Sequence, residues 1–110
     1  MRFEWDAERA RRKLAKLGIG FDLAQKVFDD PLYLIVPDRF EDGEQRWHAI
    51  GTIDAVVVML VVHTYPDRED EGRVRIVGAR KATAHERRRY EQEGPWSGSA
   101  QPARQAGWFA

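Results

Sequence analysis

Residues 56–62, Val-Val-Val-Met-Leu-Val-Val, contain no polar side chain and are mostly β-branched. β-Branched residues are stiff in a helix and pack well on a pleated sheet. A strand with one wet face alternates apolar with polar, so an unbroken run predicts a central strand covered on both faces. The run is far below the ~18 residues that a membrane-spanning helix needs. The rest of the chain must then supply strands beside it and helices over it.

The flanking pattern meets that demand. Asp6 predicts a helix cap, Ala7, Ala10, Leu14 and Leu17 repeat as one helical stripe, and Gly18 supplies a stop. The other side of this helix carries Arg9, Arg11, Arg12, Lys13 and Lys16. A second short helix starts near Phe21, with Ala24, Val27 and Phe28 on its apolar side. It ends near Asp30, because Pro31 disfavours helix in the residue before it. Strands are expected over 32–36, closed by Pro37-Asp38, then over 45–53, 56–64 and 73–79, with an acidic loop over 38–44. Thr83 and Glu86 form a capping box for a last helix. The resulting order is ααββββα, an α+β arrangement of two N-terminal helices, a four-stranded antiparallel sheet and a C-terminal helix in two layers. Residues 1–93 make one domain. Residues 94–110, rich in Gly, Pro, Ser, Ala and Gln around Trp96, Trp108 and Phe109, read as a flexible tail.

Charge is balanced over the whole chain but not along it. Between residues 73 and 91, Arg73, Arg75, Arg80, Lys81, Arg87, Arg88 and Arg89 oppose only Glu86 and Glu91. Such a segment calls for a counter-charge from a phosphate backbone or an acidic protein. If the middle hairpin turns tightly at Asp54-Ala55 and the next turn centres on Glu69, Arg46, His63 and Arg75 fall in a row across three strands. His48 then lies two residues along on the same face. Slipping either hairpin by one residue breaks the row.

That row suits metal-independent RNA cleavage, which needs a proton acceptor for the 2′-hydroxyl, a proton donor for the leaving oxygen and cations for the phosphorane. Imidazole titrates near neutrality, and guanidinium binds phosphate through paired hydrogen bonds. His63, Arg80, Lys81 and Arg46 are therefore the catalytic candidates. Arg75, Arg87, Arg88 and Lys16 are candidates for binding RNA phosphate or an acidic partner. Each has a structural alternative: His63 as a hydrogen-bonded core residue, Arg80 and Lys81 in ion pairs with Glu86 or Glu91, the helix cations as a solvated surface. Glu44 is a possible carboxylate base or a solvated loop residue. His48 reads as a half-exposed strand residue, His85 as solvated, and Trp47 and Tyr90 as packing residues. The three histidines match no metal-ligand spacing, the chain has no Cys, and neither a metal nor another cofactor is called for.

Several stretches resemble a known family. Arg75-Ile-Val-Gly-Ala-Arg-Lys-Ala-Thr83 with Glu86-Arg87 and Tyr90-Glu91 looks like the signature of BrnT-type toxins, small RelE-like ribonucleases of bacterial type II toxin–antitoxin systems. Phe3-Glu-Trp-Asp6, Lys16-Leu-Gly-Ile-Gly-Phe21 with Ala24, Val27-Phe28 and Asp30-Pro31, then Gly43-Glu44, Arg46, Ile50-Gly51 and Val61-Val-His-Thr64 follow in the family's order. The resemblance covers about residues 1–91. It implies a RelE-like fold and a toxin that cleaves RNA and inhibits translation. It also implies a cognate BrnA-like antitoxin with a ribbon-helix-helix region, through which the complex binds operator DNA. Family members usually carry Asn, His and Ser where this chain has Lys13, Leu17 and Gly20. This leaves a second reading, an inactive RelE-like module that only partners a ribbon-helix-helix repressor. With no signal peptide or spanning segment in view, a cytoplasmic location is expected.

Overall fold

The strand over Val57–Thr64 lies at the centre of a five-stranded sheet in the computed structural model, which describes residues 1–93. In chain order the elements are β1 (Arg2–Glu4), α1 (Ala7–Leu17), α2 (Phe21–Ala24), which tightens into a 3-10 turn over Gln25–Asp29, β2 (Leu34–Glu41), β3 (Glu44–Ile53), β4 (Val57–Thr64), β5 (Arg73–Lys81) and α3 (Ala84–Glu93). The sheet order is β1-β5-β4-β3-β2, with β1 parallel to β5 and the other pairs antiparallel. The expected four-stranded antiparallel sheet is thus a five-stranded mixed one. The added strand is three residues long, too short to show alternation. It is held by Phe3 against Phe28 (ring centroids 5.2 Å apart) and by Glu4 against Arg73 and Arg75. The expected tail, 94–110, lies outside the described residues.

Side chains of β4 alternate between two apolar clusters. Met59 and Val61 join Phe21, Ala24, Val27 and Phe28 on one face, whereas Leu60 joins Leu34, Val36, Ile50 and Tyr90 on the other. The helices therefore lie on both faces, α2 and the Ala10 side of α1 on the first and α3 on the second, with α1 packed along β5 so that Arg9 and Lys13 reach the second. This replaces the two-layer expectation and explains why residues 58–62 have no polar position; Val56 and Val57, 79% and 39% exposed, lie outside that cover. Burying each large side chain of this kind stabilises by about 1.5–3 kcal/mol. Asp30 anchors α3 from below. Its carboxylate, 8% exposed, accepts from the backbone N–H groups of Leu32 and Thr52, the Thr52 hydroxyl and the Tyr90 phenol.

Local signals are realised as expected. Asp6 accepts from the N–H groups of Glu8 and Arg9 (2.9 and 3.3 Å), and Gly18 closes α1 at φ 73°, a conformation glycine adopts freely. Thr83 N–H donates to Glu86 and Glu86 N–H to the Thr83 hydroxyl, completing the capping box. Two expectations fail. Strand β2 continues through Pro37 to Glu41, because an edge strand tolerates proline, and the turn is only Asp42-Gly43, both at positive φ. In α1, Leu14 and Leu17 are 50% and 43% exposed, and it is Arg9, Ala10 and Lys13 that are half-buried.

Two single-residue irregularities set the register. Asp54 and Ala55 both turn at positive φ, but Ile53 pairs with Val57, leaving Val56 extra in the loop. In β5, Val62 pairs with Gly78 and His63 with Ile76, so Val77 is bulged out. Trp47, not Arg46, is therefore opposite His63, and Thr64, not His63, is opposite Arg75. The expected row does not form around His63. One more step along the same register places Arg46 beside Thr64, so the row across the sheet is Arg46, Thr64 and Arg75.

Candidate active site

Alternation along β3 sends Arg46 and His48 to the α3 face, and β5 sends Arg75 and Arg80 there too. At the open end of that face, beyond the cover of α3, the chain forms a continuous groove. One part is a cleft of about 340 Å³ lined by Arg9, Lys13, Asp38, Arg39, Arg46, His48, Arg80 and the backbone-rich floor at Val62, Val77 and Gly78. It sets five full cations against one carboxylate. The other part, about 520 Å³, shares Arg9, Arg46 and Val77 and adds Thr64 and Arg75 with the carboxylates of Glu4, Asp6, Glu41, Asp42 and Glu44. The groove is thus basic at one end and acidic at the other.

Within the basic end, His48 Nε2 is 3.2 Å from Asp38 Oδ2, with both side chains about a quarter exposed. Arg46 Nη1 lies 3.1 Å from Glu41. Arg80 donates from both terminal nitrogens to Glu86, at 2.8 and 3.0 Å. The Arg80 guanidinium, with help from the Thr83 N–H and against the penalty of burial, holds the Glu86 carboxyl down to about 2. Glu86 therefore stays ionised, caps α3 and fixes the plane of Arg80 at once. In the other part, Thr64 is 1% exposed and its hydroxyl has no hydrogen-bond partner among the described residues. Arg75 is engaged by Glu4 at 3.1 Å.

The remaining sequence candidates lie elsewhere. His63 is fully buried on the α1–α2 face, its ring edge-on between Phe28 and Tyr65 with centroids 5.1 Å from each. Burial pushes its imidazole down to about 4, so it is neutral in the folded protein at pH 7. The structure thus assigns His63 to the core and not to the groove. Lys81 alternates to the Met59 face and is exposed. Arg87 and Arg88 are exposed on α3, Lys16 is exposed on α1, and His85 is exposed at the start of α3. Glu44 sits in the acidic end. Trp47 packs against Tyr65 on the core face, and Tyr90 is buried, as expected of both. The sequence reading passed over the His48–Asp38 pair. The i, i+2 spacing of Arg46 and His48 already put them on one face, but Asp38 was assigned to a loop.

A family model described as the ribonuclease toxin BrnT of a type II toxin–antitoxin system matches residues 5–86. The chain belongs to the BrnT family. The 1.1 Å crystal structure of the Brucella abortus ribonuclease toxin BrnT is similar to it, with a TM-score of 0.58 and 20% identity over 76% of this chain and 97% of that one. At that identity the likeness supports the fold. No curated protein sequence matches the chain. Membership in a BrnT toxin family places the chain among type II ribonuclease toxins, and such a toxin has an antitoxin as its partner. Among the described residues, no helix is long and apolar enough to cross a membrane.

Proposed function

We propose that this BrnT-family chain is a metal-independent endoribonuclease whose site is the basic end of the groove, and that its cleavage of RNA inhibits translation. The observation that carries the reading is the His48–Asp38 pair beside Arg46 and Arg80 in a cleft of five cations and one carboxylate. In this reading the 2′-oxygen attacks the adjacent phosphorus, the P–O5′ bond breaks as the leaving 5′-oxygen takes a proton from water, and a 2′,3′-cyclic phosphate is left. His48 accepts the 2′-hydroxyl proton and Asp38 holds the imidazole in place; such a base contributes about 10²–10⁴-fold. Arg46 and Arg80 stabilise the charge that grows on the phosphoryl oxygens. Glu86 takes two N–H groups of Arg80 and the Lys81 carbonyl a third, which leaves two of the five for a phosphate.

The partner in this proposal is a cognate BrnA-like ribbon-helix-helix antitoxin, which carries operator binding and neutralises the toxin in the cytoplasm. Arg87, Arg88 and Lys16, exposed and outside the groove, are its proposed acidic-residue contacts, and the complex weakens with salt. The inactive-module reading rested on Leu17. That residue does not line the groove, so the chemistry proposed here does not need it. Expression without the partner tests the proposal. The parent should arrest growth and block synthesis in a translating extract, and Arg80→Ala should relieve both. A parent that leaves growth and translation untouched overturns the toxin activity, and an Arg80→Ala variant as toxic as the parent overturns the site.

A further inference from the structure

We propose that Arg9 and Lys13 of α1, with the Thr64 hydroxyl, form the phosphate anchor of the groove, and that the backbone they hold belongs to a single strand of RNA. This rests on the ribonuclease reading and goes beyond it, because Arg9 and Lys13 are not among the residues expected from the sequence to bind phosphate, which were Arg75, Arg87, Arg88 and Lys16. The first observation is the rotation of α1. Its leucines stay in solvent, 50% and 43% exposed, whereas Arg9 and Lys13, one turn apart on the same side, are half-buried against the sheet. Burying charge in preference to leucine is unfavourable unless something compensates it.

The second observation is the distribution of partners. Arg39 and Arg46 share the single Glu41 carboxylate, Arg80 pairs with Glu86, and His48 with Asp38. Arg9 and Lys13 line the same cleft and form no ion pair among the described residues. Positive charge without an ion-pair partner therefore sits on α1: Lys13 lines the basic cleft with His48 and Arg80, and Arg9, which interacts electrostatically with Asp6, lies where the two parts of the groove meet. Thr64 lines the adjoining part together with Arg9 and Arg46; its hydroxyl is buried without a hydrogen-bond partner among the described residues, and an oxygen of a phosphate held by Arg9 would accept from it. Glu41, Asp42 and Glu44 crowd the adjoining end and repel a second phosphate rail, which leaves room for one strand.

The test measures binding of a labelled oligouridylate in the non-cleaving His48→Ala background across a salt series. Single-strand binding loses about 0.7 from the log–log salt slope for each phosphate contact removed. Arg9→Ala and Lys13→Ala should each lower the slope by about that amount. Thr64→Val, which keeps the shape, should weaken binding several-fold with the slope unchanged. Arg12→Ala, on the exposed side of the same helix, should match the parent. Parental slopes in both α1 variants, an equal loss with Arg12→Ala, or duplex RNA bound as tightly as the single strand would each overturn the anchor while leaving the ribonuclease reading intact. No binding of RNA by the His48→Ala background at any salt would instead overturn that reading, and the anchor with it.

Discussion

Removing one oxygen atom, by Tyr90→Phe, tests how α3 is held to the sheet. Tyr90 is the only buried residue of α3, and its phenol donates to Asp30 Oδ2 at 2.5 Å. The same carboxylate accepts from Leu32 N–H at 2.8 Å, Thr52 N–H at 2.9 Å and the Thr52 hydroxyl at 3.0 Å. Phenylalanine keeps the ring in its place, so no cavity term arises, and the change isolates one hydrogen bond to a charged acceptor. Such a bond contributes about 1.5–3 kcal/mol, or on the order of 10 °C in Tm for a domain of this size. Burial of Asp30 opposes its ionisation, but the bonds from Tyr90, Thr52 and Leu32 outweigh it and hold the carboxyl below its usual range. A lowered folded pKa contributes stability above the unfolded value, about 3.9, which is lost as pH falls through the folded value. The penalty of Tyr90→Phe should therefore be largest at pH 7 and shrink in acid to that of a neutral bond, about 1 kcal/mol or less. Urea unfolding of parent and variant across a pH series from 7 downward, with equal m-values, measures it. A penalty below about 0.5 kcal/mol at pH 7, or one that grows as pH falls, would refute the reasoning.

Two further outcomes follow from named contacts. His63 is held down to about 4 by burial, against an ordinary value of 6.5, so folding excludes its proton. Stability should be full above about pH 6.5 and fall by about 3 kcal/mol on the way to pH 4, and His63→Leu should flatten that part of the curve while RNA cleavage persists; a slope unchanged in the variant contradicts the assignment of His63 to the core. Glu86→Gln keeps an acceptor for the Thr83 N–H but loosens Arg80, and with Arg80 42% exposed the lost ion pair is worth no more than about 1 kcal/mol of stability. Cleavage should fall about tenfold in kcat/KM with α3 helicity unchanged by circular dichroism, and undiminished cleavage would show that Arg80 does not need Glu86 to hold its plane.

What the sequence made legible was local. The Asp6 cap, the Gly18 stop, the Thr83–Glu86 box and the halt at Pro31 each depend on a few neighbouring residues, and all are present. The unbroken run at 56–62 announced the central strand, which is covered on both faces from Val58 onward, while Val56 is left exposed in the turn before it. Register was not legible, because it depends on Val56 being extra in one turn and Val77 being bulged in β5, and neither residue type marks such a place. Those two residues moved His63 into an aromatic core and put Thr64 between Arg46 and Arg75. Asp38 was hidden by Pro37, which ends a central strand but not an edge strand. The orientation of α1 was hidden by its own leucine stripe, which predicts an inward face that the structure leaves in solvent.

Cleavage of a labelled RNA by purified, partner-free protein in excess EDTA, with His48→Ala and His63→Leu alongside, tests the central claim most directly. The account predicts that the parent and His63→Leu cleave and leave a 2′,3′-cyclic phosphate, and that His48→Ala does not. Cleavage by His48→Ala at the parental rate would contradict it.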